Sequence, residues 1–406
     1  MVHAVRAQAR SGPPKSHWRL PSHLHVHPSR RPAWLPSFIP AFDGLRGIAI
    51  LAVLLYHSHP RLEGTFLEKF VIWGWTGVSL FFVLSGFLIT GIILDARPGP
   101  FYTRFFAHRA LRIWPAYWLL LFLFYFFFPF VFSGYKWMVH DVATAPWLPL
   151  LLFLQNLFPI TLPGAIGPTW SVAIEQQFYL FWTPIARHLP PRWLLLAAGA
   201  MLAISPAVRL FYGAHLTPTQ TVVHLDSLAV GCLIAIALRV FAWTPAAWKW
   251  IARAGLCIGA SGVWLMLHRG SAFTDLLLAF GFGGMLLEAL LGDTNGVPSA
   301  PVVQPQSAKS GQIGVPLGVV GRAPRRSFYC RALEFRPLVF VGKISYGLYL
   351  IHILVFSLLG GYVDKHLDAF GIPGNLAIVA IRVAVAIGCA ALMWRYFEKP
   401  ILALKR

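Results

Sequence analysis

Apolar runs of about 17 to 25 residues recur along almost the whole of this 406-residue chain, each long enough to cross roughly 30 Å of hydrocarbon as a helix. They lie near residues 44–59, 71–94, 113–133, 170–186, 194–212, 222–241, 250–268, 272–291, 337–360 and 375–397. Only 12% of the residues are charged, against roughly 25% in an ordinary soluble domain. The expected fold is therefore all-α, a polytopic bundle of about ten transmembrane helices. A further stretch, Trp147 to Phe158, is too short to span and is ringed by Pro146, Pro149, Pro159 and Pro163; it reads as one short re-entrant or interfacial segment.

The formal charge of +20 belongs to topology rather than to nucleic acid, because the basic residues sit in short segments between apolar runs. With the amino terminus inside, Arg97, Arg104, Arg109, Arg112, Arg187, Arg192, Arg239, Lys249, Arg253 and Arg395 all fall on the cytoplasmic face. Counting Trp147 to Phe158 as a span would invert most later basic loops, so both termini are expected in the cytoplasm. Residues 1–40 read as a disordered basic tail, and 41–402 as the membrane domain, with a flexible cytoplasmic loop at 292–336. The tail's five histidines between His3 and His27 read as tail composition, and the four widely spaced cysteines as packing residues. No metal site is expected.

Polar groups inside apolar helices usually face a cavity or a partner, because insertion of a charge at mid-membrane costs about 2.5 to 3.5 kcal/mol. In the first helix Arg46 and His57 are eleven residues apart, so they share a face about 16 Å apart in height. A histidine there can take and return a proton near neutral pH; on spacing alone the pair is equally well read as two interface residues. Asp43 lies one turn before Arg46. Arg109 and Arg112, followed by Tyr117, stand at i and i+3 at the entry of the third helix, suited to gripping phosphates or to simple anchoring. Trp170 and Ser171 open a helix carrying Glu175, which either orients a histidine, holds a hydroxyl or pairs with an arginine. His352 lies well inside the ninth run, packed neutral or lining a cavity.

Taken in order, these pieces resemble the acyltransferase-3 family of integral membrane O-acyltransferases. Four stretches carry the likeness: Phe42 to His57, Gly77 to Thr90, Arg109 to Tyr117 and Trp170 to Tyr179, with Ser345 to His352 and Glu398-Lys399-Pro400 beside them. The resemblance implies a bacterial inner-membrane enzyme that moves an acyl group, acetyl first among the candidates, from cytoplasmic acyl-CoA to a hydroxyl of a carbohydrate or glycan. It implies acyl-CoA as a co-substrate, no permanently bound cofactor, and membrane lipids as surroundings. His57 matches the family's essential histidine, Arg46 its partner, Arg109 and Arg112 a donor-handling pair, and Glu175 a recurrent acid. Many relatives carry a second acid where this chain has Gln176. Some also append an extracytoplasmic hydrolase-like domain, not seen here, so transfer is expected to be completed by the membrane domain or with a separate protein. The competing class is a transporter with an Arg, Glu and His pathway, and motif order argues against it.

Overall fold

The computed structural model describes residues 32, 35, 39–96, 99–131, 145–157, 162, 164–268, 270–292 and 327–404. The tail through residue 31, Arg97, Asp141 and residues 293–326 of the basic stretch lie outside them. Among the described residues the regular structure is entirely helical. Its long or site-forming members are α1 (Pro40–His57), α2 (Thr76–Leu94), α3 (Phe101–Phe122), α4 (Thr169–His188), α5 (Pro191–Tyr212), α6 (Leu225–Val240), α7 (Pro245–His268), α8 (Thr274–Leu291), α9 (Arg336–Lys343), α10 (Ser345–Leu359) and α11 (Gly371–Met393).

Eight candidate spans, some including short flanking turns, are long and apolar enough to cross a membrane among the described residues. A ninth is made by α9 and α10 together, bent by 77°. The remaining expected segment, α4, is a helix of 20 residues; Glu175, Gln176, Gln177 and Arg187 lower its hydropathy. The protein is thus a polytopic helical membrane protein, as expected.

Side chains at the helix ends settle how α4 runs. Arg187, at the end of α4, donates to the Ala96 carbonyl at 3.2 Å, and Arg239, at the end of α6, grips Asp95 at 2.8 and 2.6 Å. Tyr102, at the start of α3, meets His188 at 2.7 Å. The carboxyl ends of α2, α4 and α6 therefore share one face of the bundle with the start of α3. Trp147–Leu151, a helix of five residues, makes no net crossing. Phe153 reverses the chain just after it in a left-handed conformation, φ 57°, a region uncommon for a bulky residue. Its ring packs 4.5 Å from that of Tyr117.

Three boundaries differ from the sequence expectation. Helix α3 starts at Phe101, not near 113, because Pro100 caps a helix whose apolar face is hidden in the sequence by interspersed Arg104, Arg109 and Arg112. At 1.5 Å per residue, Arg112 lies about 16 Å inside it. Within the 292–336 stretch, Phe328–Leu333 is helical: Ser327 Oγ accepts from the Cys330 amide and caps it, and Cys330 and Leu333 are buried. The 337–360 run is interrupted between α9 and α10.

Close backbone packing fixes half of the bundle. A Cβ on Gly86 of α2 would lie 2.1 Å from the Leu228 carbonyl oxygen, and one on Gly231 of α6 equally close to that of Val83. Helices α7 and α8 meet in the same way at Gly259 and Gly281. Small residues let membrane helices approach this closely.

Candidate active site

Helix α1 ends at His57 because the chain turns at Ser58, whose hydroxyl donates back to the Leu54 carbonyl at 3.0 Å. The His57 ring then faces α10. Its Nδ1 is 3.0 Å from the Val53 carbonyl oxygen and 3.1 Å from His352 Nε2, while His352 Nδ1 is 2.7 Å from the Tyr349 carbonyl oxygen. Carbonyl oxygens only accept, so in the neutral rings each Nδ1 carries the proton. His352 Nε2 is then a lone pair accepting from His57 Nδ1. His57 Nε2 is left unprotonated, with no partner among the described residues. The sequence offers His57 and His352 as alternatives; the structure makes them a pair, His352 fully buried and His57 partly so.

His57 borders a cavity of about 810 Å³ at the end of the bundle formed by the close of α1 and α5 and the starts of α2, α4, α6 and α8. Trp170, a sequence candidate, lies on its wall and stacks on His224, with centroids 5.1 Å apart. Ser171 donates to the Tyr349 hydroxyl at 2.8 Å, and that hydroxyl donates to the Pro168 carbonyl at 3.0 Å. This ties α4 to α10 beside the cavity.

Toward the bundle's interior a smaller cavity of about 60 Å³ is bordered by Arg46, Glu175, Ser345 and Tyr349. Val78 and Tyr349 border both cavities and stand between them. Glu175 accepts from the Ser85 hydroxyl and from Tyr179 at 3.4 Å; Arg46, Arg109 and Arg112 all act on it electrostatically. Arg46 Nε and Ser345 Oγ are buried without a hydrogen-bond partner among the described residues. Two orphaned polar groups on one small cavity mark a place for a polar ligand group or water.

Arg109 stacks over Phe105 and Tyr179 at 5.9 and 5.8 Å. It borders a mouth of about 380 Å³ with Arg104 and His108, and also a larger apolar groove of about 1010 Å³ along α4. Arg112 acts on Asp43, Arg46 and Glu398 as well as Glu175. The structure therefore gathers Arg46, Arg109, Arg112, Glu175 and Asp43 into one electrostatic cluster. Tyr117 stands apart: it donates to the Leu150 carbonyl at 2.7 Å and accepts from Gln155 at 3.3 Å, anchoring the short Trp147–Leu151 helix.

Sequence reasoning missed Ser85, Arg209 and Asp275. Ser85 lies in the Gly77 to Thr90 stretch but is not singled out by it, because an uncharged serine in an apolar run stands out far less than a charged group. Arg209 and Asp275 lie at helix ends and reach the large cavity only through the packing of α5 against α6 and α8. Among the described residues no group of His, Cys, Asp and Glu has the arrangement of a metal site.

Residues 39–395 match a family model described as an acyltransferase domain. Similar proteins include a peptidoglycan O-acetyltransferase of Listeria monocytogenes, 25% identical over an alignment 386 residues long that covers 90% of this chain and 56% of the relative. A putative peptidoglycan O-acetyltransferase of Bacillus subtilis is 27% identical over 398 residues, 90% of this chain and 55% of the relative. An O-acetyltransferase of Staphylococcus aureus is 26% identical over 409 residues, with 90% and 57% covered. The chain thus spans a little over half the length of these curated relatives. No solved structure matches it.

Proposed function

The chain belongs to the acyltransferase-3 family, and from that premise we propose that it is a membrane O-acyltransferase moving an acyl group, acetyl by preference, from cytoplasmic acyl-CoA to a hydroxyl of a carbohydrate or glycan. The observation that carries this reading is the His57–His352 pair, which leaves His57 Nε2 unprotonated on the wall of an 810 Å³ cavity.

Coenzyme A is polyanionic, and Arg104 and Arg109 border a mouth at the basic end of the bundle. Arginine forks suit phosphate, so this end receives the donor's head. The thioester arm extends inward toward Arg46, whose unpartnered Nε and the Ser345 hydroxyl border the small cavity. There they hydrogen-bond polar groups of the arm, while its thioester end reaches past Val78 and Tyr349 to His57. In the direct route, His57 Nε2 takes the proton of the acceptor hydroxyl as its oxygen bonds the carbonyl carbon. The C–S bond then breaks and the thiolate recovers the proton. In the covalent route, His57 Nε2 itself bonds the carbonyl carbon as the C–S bond breaks and the thiolate leaves; the acceptor oxygen then bonds that carbon as the C–N bond breaks, and the hydroxyl proton goes to the thiolate. Both require the same tautomer. Glu175 balances the surrounding guanidinium groups in either case.

The sidedness is supported by the basic residues Arg104, Arg187, Arg239 and Arg331, which belong to the end that carries the donor mouth. With that end inside, the membrane is the bacterial cytoplasmic one, both termini are cytoplasmic, and the His57 cavity opens outward. The test is transfer from radiolabelled acetyl-CoA to a glycan in proteoliposomes. His57→Ala and His57→Gln are both expected to lower the rate by about 10²–10⁴, the usual loss on removing a general base. Near-parental transfer by either variant at matched expression refutes the assignment.

A further inference from the structure

The cavity that holds His57 is not the only one at its end of the bundle. A second, of about 490 Å³, is lined by Trp73, Trp75, His268, Ser271, Thr274 and Asp275. Trp75 and Asp275 also line the His57 cavity, so they form a common wall between the two.

Asp275 is unusual for a carboxylate placed there. Its described ion pair is with Arg209, at 3.4 Å, its side chain is 20% exposed, and it has no hydrogen bond among the described residues. Arg209 directs its own donors elsewhere: Nε to the Ala272 carbonyl, Nη1 to the Val223 carbonyl and Ser205, and Nη2 to the fully buried Asp226. Arg209 thus shares its single charge between Asp226 and Asp275 and leaves Asp275 without a hydrogen-bond donor among the described residues. The Asp275 oxygens remain acceptors facing the cavities, and an ionised carboxylate can only accept. Neutral donors, above all hydroxyl groups, are what it suits. Beside it stand two half-buried indoles, Trp73 and Trp75. Flat apolar walls with a few fixed polar groups are how small-molecule sites orient a ligand, and a sugar ring offers an apolar face rimmed by hydroxyls.

We propose that Trp73, Trp75 and Asp275 form an acceptor subsite, and that the acceptor is a glycan chain of several sugar units laid from the outer cavity across this wall to His57. The inference rests on the O-acyltransferase reading and deepens it. One sugar occupies the His57 cavity; its neighbours in the chain cross between the indoles and give hydroxyl hydrogens to Asp275. Asp275 is a specificity residue, remote from the proton transfer itself. A free monosaccharide or small alcohol reaches His57 without using this wall.

The experiment uses the full chain in proteoliposomes, acetyl-CoA as donor, and chitooligosaccharides of two and six units as acceptor probes. The readout is the ratio of kcat/KM for the longer probe over the shorter. The parent is expected to favour the longer probe by about tenfold, the scale of one hydrogen bond to a charged group, with the difference in KM. Asp275→Leu, which removes the acceptor at similar size, and Trp73→Ala are each expected to bring the ratio within about twofold of unity. Gel filtration in detergent confirms folding, and Trp73→Phe replaces Trp73→Ala if that variant aggregates. A flat ratio in the parent, with transfer still dependent on His57, overturns the chain-length inference alone. A length preference that survives both substitutions also overturns it. If the parent shows no His57-dependent transfer to either probe, the O-acyltransferase reading fails and the subsite falls with it.

Discussion

Removing the hydrogen-bond acceptor that His352 offers His57 is expected to slow catalysis measurably without abolishing it. In His352→Leu the His57 Nδ1 proton loses the contact at 3.1 Å but keeps the Val53 carbonyl at 3.0 Å. One of two acceptors is gone, so the ring is less firmly held in the tautomer and orientation that expose Nε2. A net hydrogen bond contributes about 0.5–1.5 kcal/mol; if all of it bears on the transition state, kcat falls by about 2- to 12-fold. That is well short of the about 10²–10⁴ expected for His57→Ala. His352→Gln places an amide oxygen where Nε2 was, and should recover kcat to within about threefold. The assay is initial-rate acetyl transfer at saturating donor and acceptor, with KM for the donor measured in parallel and expected to stay at its parental value. If His352→Leu is as inactive as His57→Ala, His352 itself carries the proton and the positioning argument is refuted. Parental kcat in His352→Leu refutes it from the other side.

Two other substitutions test the rest of the frame. Arg112→Lys keeps the charge acting on Glu175 and Asp43 but loses the planar fork, so the donor KM should rise several-fold while the acceptor KM stays put; equal donor kinetics would remove Arg112 from donor handling. Gly86→Ala puts a Cβ 2.1 Å from the Leu228 backbone oxygen, an overpacking expected to destabilise by about 1–3 kcal/mol, read as a lower thermal-unfolding midpoint in detergent.

Much of the fold was legible because lipid admits few backbone solutions: a run of apolar residues long enough to span has to be a helix. The direction of α4 was readable from the one-sided basic residues, and Arg187 and Arg239 carry that inference as contacts with Ala96 and Asp95. The start of α3 was not, since arginines interrupt its apolar pattern although the Arg109 guanidinium turns inward over Tyr179. The site shows the same division. His57, Arg46 and Glu175 stood out because polar groups are costly among apolar ones. The partnership of His57 with His352 did not, because the two histidines lie 295 residues apart and only the packing of α10 on α1 brings them together. Ser85 and Asp275 act through neighbours that periodicity does not name.

The glycine contacts between α2 and α6, and between α7 and α8, bear on mechanics as well as packing. Where backbone touches backbone, no side chain is left to change rotamer and accommodate a slide, so each pair behaves as one rigid body. The opposite half is built differently: α3 and α4 meet through Arg109, Phe105 and Tyr179, and α10 meets α4 through the hydroxyls of Tyr349 and Ser171, contacts that swing on their own torsions. On the O-acyltransferase reading, a displacement that carries an acyl group past Tyr349 would be taken up by α3, α4 and α10. The large cavity has a rigid side in α2, α6 and α8 and a compliant side bearing Trp170 and Tyr349. His57 is carried by the rigid side, because α1 meets α2 by the same kind of contact, Gly77 against the Ala49 carbonyl.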